Sequence, residues 1–290
     1  MPAAVTTGDV PTQPEADSWA REHTLGLIDI FPIDTSGLLI LLASALATRV
    51  TWLRPFDLVD GDELHGAWGR QPTRALHARS ELGHSASIVA TERAGTVAVH
   101  TAMADAGLRV TSVIAAPDVS RADVLAVAHQ IATAHARSGI GSSLSLFDLP
   151  LGDSALWTIT ERDADAGGQD VEAVLPAWHV ESEHDLLTVP ALAFGAAGEA
   201  LMRRAQVAGR VEAVQSAVAK YTRHGFEAAA VTALGVAFSG RMPPPPGPYR
   251  TATVRFAHPY AVVATTSGHD DPWNGLPVFA AWITEPDDAS

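Results

Sequence analysis

The chain has 290 residues, 47% of them hydrophobic, enough to build one large core, so a single domain over residues 1–290 is expected. Its 19 basic residues face 33 acidic ones, and the net charge of −14 repels nucleic acid and anionic membrane surfaces. Cysteine is absent, which removes disulfides, thiolate nucleophiles and sulfur metal sites, and the 12 histidines form no HxxxH or HExxH pair, so neither metal nor other cofactor is expected.

Residues 1–12 carry neither a basic start nor an apolar stretch with a small-residue cleavage site, so no export signal is read there. Pro14 and Glu15 suit a helix start, Trp19 and His23 recur at a four-residue spacing, and Gly26 ends the segment. Residues 38–47 are the most apolar run; too short for a bilayer, they are expected as a core strand. Residues 62–118 read as short strands and turns. Gly83, His84, Ser85, Ala86 and Ser87 superficially match a nucleophile elbow, but no apolar strand precedes them and no helix follows, so a plain turn is expected. Ser120 with Asp123 forms a capping box, and Val124, Leu125, Ala128, Ile131 and Ala132 give one apolar helical face up to Gly139, with His129 and His135 expected toward solvent.

The turn signal DADAGGQD at 163–170 separates strand-like residues 156–160 from 171–180 and predicts a β hairpin. His179, Glu181 and Glu183 share one face of the second arm, which is the pattern of the polar side of a half-buried strand. Both faces of Val214–Tyr221 are apolar, the pattern of a strand inside a sheet. The small apolar run over 228–238 is narrow enough to slide between strands. Pro243, Pro244, Pro245, Pro246 and Pro248 lack the donor that a ladder needs and predict an extended, exposed segment. Residues 251–256 alternate, while 260–264 and 278–283 read as buried strands joined by a polar turn over 267–277, with Trp273 packed in that turn.

Four stretches share an order with a known family. Gly225, Phe226, Glu227, Ala228, Ala229 and Ala230 follow a strand and precede an exposed segment; Phe256, Ala257, His258, Pro259 and Tyr260 come after it; LLASALATRVTWLRPF at 41–56 and LPAWHVESEHDL at 175–186 lie upstream. In this the chain resembles the serpins, over nearly its whole length. Phe226 stands where the family has a small residue, and Arg223 where it usually has an acid. The resemblance implies an α+β fold with mixed multi-stranded β-sheets, surrounding helices and an exposed reactive-centre loop. It places residues 38–52 and Val214–Tyr221 in a main sheet and the two last strands in a smaller one, and it implies that roughly the family's first third is not in this chain. It further implies a protein that is no enzyme and whose partner is a serine protease: Gly225 to Ala230 would be the loop hinge, and the family's spacing from Gly225 puts the reactive bond at Ser239–Gly240, with Arg241–Met242 as the alternative. A non-inhibitory serpin-fold binding protein is the other reading, and uncovered sheet faces predict self-association.

Overall fold

The computed structural model describes residues 8–38, 41–43, 50–105, 107–138, 143–189, 191, 193–206, 209, 211–226, 245–268 and 272–289. In chain order these hold α1 (Gln13–His23), β1 (Val50–Thr51), β2 (Asp57–Asp60), β3 (Arg74–Ala78), β4 (His84–Thr91), β5 (Gly95–Met103), β6 (Leu108–Ile114), α2 (Arg121–Ser138), β7 (Gly152–Asp153), β8 (Trp157–Ala164) and β9 (Gly168–Leu175). There follow β10 (Trp178–Asp185), α3 (Phe194–Ala205), β11 (Val214–Tyr221), β12 (Gly225–Phe226), β13 (Gly247–Arg255), β14 (Tyr260–Thr266) and β15 (Pro277–Ile283). The class is α+β. The chain divides into two compact units, residues 1–49 with 180–219 and residues 50–179 with 220–290.

In the first unit, α1 starts with Pro14 and Glu15 in its first turn, as the sequence leads one to expect, and Thr12 and Glu15 close a capping box. Ala16, Ala20 and Phe31 form its small core, with Trp19 and Leu41 packed against it. The expected core strand over 38–47 is absent from the described part of that run: Leu38 and residues 41–43 are not in a strand, and Leu42 is 93% exposed. Leu and Ala carry no β-branching, so such a run has little strand preference until a neighbour supplies a ladder. β11 forms over the expected residues, yet among the described residues it pairs with β10 alone, and it is mostly half-buried. β1 pairs antiparallel with β12 in a separate two-stranded sheet, so the two segments assigned to one main sheet lie in two small ones.

The second unit carries the larger sheets. Five antiparallel strands run in the order β15-β14-β6-β5-β4. One face is covered by α2 through Val124, Val127, Ala128, Ile131 and Ala132 against Val97, Val99, Val113, Ala261 and Val263. Its start is the Ser120–Asp123 box, with the Ser120 hydroxyl donating to the Asp123 carboxylate at 2.7 Å. His135 lies on the inner face and is 6% exposed, correcting its expected place at the surface; position 135 continues the stripe through 128, 131 and 132. β14 is buried from Tyr260 to Thr265, whereas β15 is a half-buried edge strand, and Trp273 between them is exposed. Gly83 is a turn at φ +93° leading into β4, so Ser85 lies on a strand.

The six-stranded sheet runs β2-β3-β9-β13-β8-β7. Here the expected hairpin fails: β8 and β9 do not pair, because β13 lies between them, parallel to β9 and antiparallel to β8. The run 171–180 is also two strands. Pro176 can donate no ladder bond, and the chain changes sheets there, from β9 to β10. Pro248, in turn, is not excluded from the ladder: it pairs with Asp163 in β13, but one residue before that strand meets β9, which begins opposite Tyr249. A proline is tolerated near a strand's start with only one neighbour.

Candidate functional site: the base of the loop

All the residues of this site belong to the second unit. Its frame is the turn from Thr222 to Gly225. The Thr222 hydroxyl accepts from the His224 and Gly225 N–H groups at 3.3 Å each and donates to the Gly225 carbonyl at 3.1 Å. Short polar side chains stabilise such turns because they imitate a backbone partner. Segment 52–56 clamps the turn from one side. The Trp52 N–H donates to the His224 carbonyl at 3.0 Å, its indole N–H to the Thr222 carbonyl at 2.9 Å, and the Phe56 N–H to the Arg223 carbonyl at 3.0 Å. Arg223 Nε returns a bond to the Phe56 carbonyl at 3.1 Å and ties the clamp shut.

Beneath the clamp lies an aromatic cluster. Trp52, Phe56 and Tyr221 meet at centroid distances of 4.9–6.1 Å, and Trp178 stacks on Tyr221 at 5.4 Å. Phe226 enters this cluster, 6% exposed, 6.1 Å from Trp178 and 5.7 Å from Phe279. Phe226 is therefore an anchored side chain. Trp178 comes from the 175–186 motif, Trp52 and Phe56 from the 41–56 motif, and Phe256 packs on Tyr260 at 4.9 Å in the third. The quoted stretches thus meet around the point where the chain leaves β12.

Of the buried polar atoms in this cluster, the Tyr221 hydroxyl has no hydrogen-bond partner, while the Tyr260 hydroxyl and the Trp178 indole nitrogen face each other without well-formed geometry. Burial pushes both phenols up, so they stay neutral across the physiological range. Beside Phe56 sit two buried histidines, His84 (5% exposed) and His100 (0%), whose rings lie 4.4 and 5.5 Å from the Phe56 ring. His84 Nδ1 is 3.3 Å from His100 Nε2, and His84 Nε2 is 2.7 Å from the Arg54 carbonyl. Burial lowers His84 to about 4, an effect larger than the opposing bond to Arg54, and it lowers His100 well below the usual histidine range. In the sequence His84 belongs to the stretch 83–87, expected as a plain turn, and His100 carries no motif. The signal was a histidine within the apolar run TVAVHTAMA.

Of the expected site residues, Gly225 and Phe226 pair with Thr51 and Val50. Glu227, Ala228, Ala229, Ala230, Ser239, Gly240, Arg241 and Met242 lie outside the described residues. Pro245 and residue 246 are exposed where the chain resumes, and β13 begins at Gly247 in the six-stranded sheet. His179, Glu181 and Glu183 lie exposed along β10.

No protein-family model matches the chain, and no curated protein does. Solved structures similar to it are serpins. Human glycosylated kallistatin matches with a TM-score of 0.49 at 13% identity, covering 96% of this chain and 65% of that one. Serpin48 of the insect Tenebrio molitor matches at 0.47 and 15%, covering 94% and 64%, and thyroxine-binding globulin in complex with thyroxine at 0.46 and 13%, covering 95% and 64%. The chain spans less than two thirds of the length of these structures.

Proposed function

We propose that the segment between Phe226 and Pro245 is the bait loop of a serpin-type protein directed at a serine protease. The enzyme's serine attacks the carbonyl of Ser239, or of Arg241 for a trypsin-like pocket that pairs a cation with an acid, and releases the amine of the following residue. The freed segment then adds as a strand beside β11. The observation that carries this reading is the clamp at the loop's base: Gly225 and Phe226 are held in β12, on the C-terminal side of β11, while the chain resumes in a different sheet. Among the described residues β11 has one strand neighbour, so its other edge is open to a partner strand.

Magnitudes separate insertion from trapping. A strand matched to β11 would add on the order of eight ladder bonds at ~0.5–1.5 kcal/mol each, roughly 4–12 kcal/mol. Withdrawing Phe226 from its aromatic pocket costs about 1.5–3 kcal/mol of burial, and roughly 1 kcal/mol more in ring contacts. Insertion is favoured at equilibrium. Its first step is the slow one, however, because the anchored residue is the first to move. A second reading follows from the same burial of Phe226: the loop is cut as a substrate, and deacylation wins the race, leaving a non-inhibitory serpin-fold protein.

Incubation with trypsin-, chymotrypsin- and subtilisin-type enzymes, followed by denaturing electrophoresis and a melt of the product, tests both. A detergent-stable complex with a large rise in melting temperature supports inhibition. Clean cleavage without a complex supports the second reading, and resistance to all three enzymes contradicts both.

A further inference from the structure

We infer that His84 and His100 form an acid-released latch on the clamp that holds the base of the loop. The tautomers follow from geometry. The Arg54 carbonyl can only accept, so His84 carries its proton on Nε2 and presents a lone pair at Nδ1. His100 Nε2 donates to that lone pair, and His100 Nδ1, a buried acceptor, has no partner. The pair is complete only while both rings are neutral. A proton on His84 Nδ1 sets two donors face to face unless His100 moves its own proton to Nδ1, where no acceptor receives it. Either way a cation sits against the Phe56 ring in the core, which is costly without a paired anion.

Groups that face the pair do not relieve this. From segment 53–57, Arg54 opposes a positive His84 and Asp57 favours one, the weaker of the two effects; the Arg54 guanidinium is itself held by Glu81 at 2.7 Å. From β6, Ser112 stands opposite His100 with a hydroxyl that does not titrate, and from β11 Tyr221 stays neutral. No carboxylate hydrogen-bonds either ring among the described residues. Displacement of segment 53–57, which His84 Nε2 holds through the Arg54 carbonyl, would open His84 to water. That segment contributes the Phe56 N–H and carbonyl that bind Arg223, so its release removes half of the clamp and leaves the turn that bears Gly225 and Phe226 held by Trp52 and β1 alone.

Hydrogen exchange read by mass spectrometry tests the latch at pH 7.5 and 5.0, after correction for intrinsic rates. With the His84 value held at about 4 in the closed form and 6.5 when open, opening of peptides covering 52–57 and 221–226 should rise on the order of thirtyfold at the lower pH. Strands β5 and β14 should stay protected. His84→Gln keeps the donor to the Arg54 carbonyl, His100→Met fills the buried site without a titrating ring, and each should reduce the pH response severalfold. An unchanged response in both variants, equal protection of the wild type at the two pH values, or loss of protection in β5 and β14 together with the clamp overturns the latch. If neither variant folds, the local or global pattern in the wild type decides. The latch regulates the site of the proposed function, but its readout needs no protease. Failure here leaves that function standing, and failure to trap a protease leaves the latch standing.

Discussion

Phe226 shows how one side chain can set the behaviour of a loop. The resemblance puts it in a hinge, where overpacking would be the consequence, yet its ring fills a pocket between Trp178 and Phe279 and is buried. Phe226→Ala should cost about 3–5 kcal/mol, a large core truncation, read as a lower urea midpoint. It should also raise the fraction of protease held in covalent complex, since the hinge no longer has to be extracted. A fall in that fraction, in protein still folded at the assay temperature, would show that the anchor is not what slows insertion. Glu172 gives a pH prediction of its own. Its carboxylate accepts from His77 at 3.1 Å and from the Thr253 hydroxyl at 3.1 Å, and the His77 bond, opposed by burial, holds it below the ordinary Glu value of 4.5. A depressed carboxylate contributes stability above its unfolded value and loses it as pH falls through the folded one. Denaturation midpoints measured from pH 6 down to 3 should therefore fall below about pH 4.5, and Glu172→Gln should flatten that decline.

Among the elements, what was legible in the sequence is what local chemistry decides. The helix start at Pro14 and Glu15, the capping box at Ser120–Asp123, the apolar stripe of α2 and the apolar run 260–264 of β14 all appear where residue types placed them. Partner choice was not legible. The turn at 163–170 is real, but which strand lies beside β9 depends on β13, more than seventy residues further along, and no local pattern carries that. The aromatic site was half visible: its motifs were quoted, while Phe279 and the two histidines come from strands whose alternation marks them only as core. The turn at 222–225 yields a test at this scale. Thr222→Val keeps the branched shape and removes the hydroxyl that receives two backbone donors, which should cost ~1–3 kcal/mol. Exchange of peptide 221–226 should rise while β5 is unaffected; an equal rise in both would mean that the turn is not an independent clamp.

At the scale of the whole molecule, apolar exposure is uneven. Among the described residues, seven of the twelve exposed large apolar side chains, Ile30 at 72% and Leu42 at 93% foremost, belong to residues 1–49 and 180–219. Patches of this kind favour association. Light scattering over a hundredfold range of concentration should show mass rising with concentration, together with binding of a hydrophobic dye; a constant monomer mass with no dye signal would contradict it. The central claim, that the segment leaving β12 is protease bait, is tested most directly by intact-mass spectrometry of the chain after brief digestion by a serine protease. One pair of fragments should dominate, broken between Phe238 and Met242, at Ser239–Gly240 or, with a trypsin-type enzyme, at Arg241–Met242. A dominant break outside the segment between Phe226 and Pro245 would contradict the account.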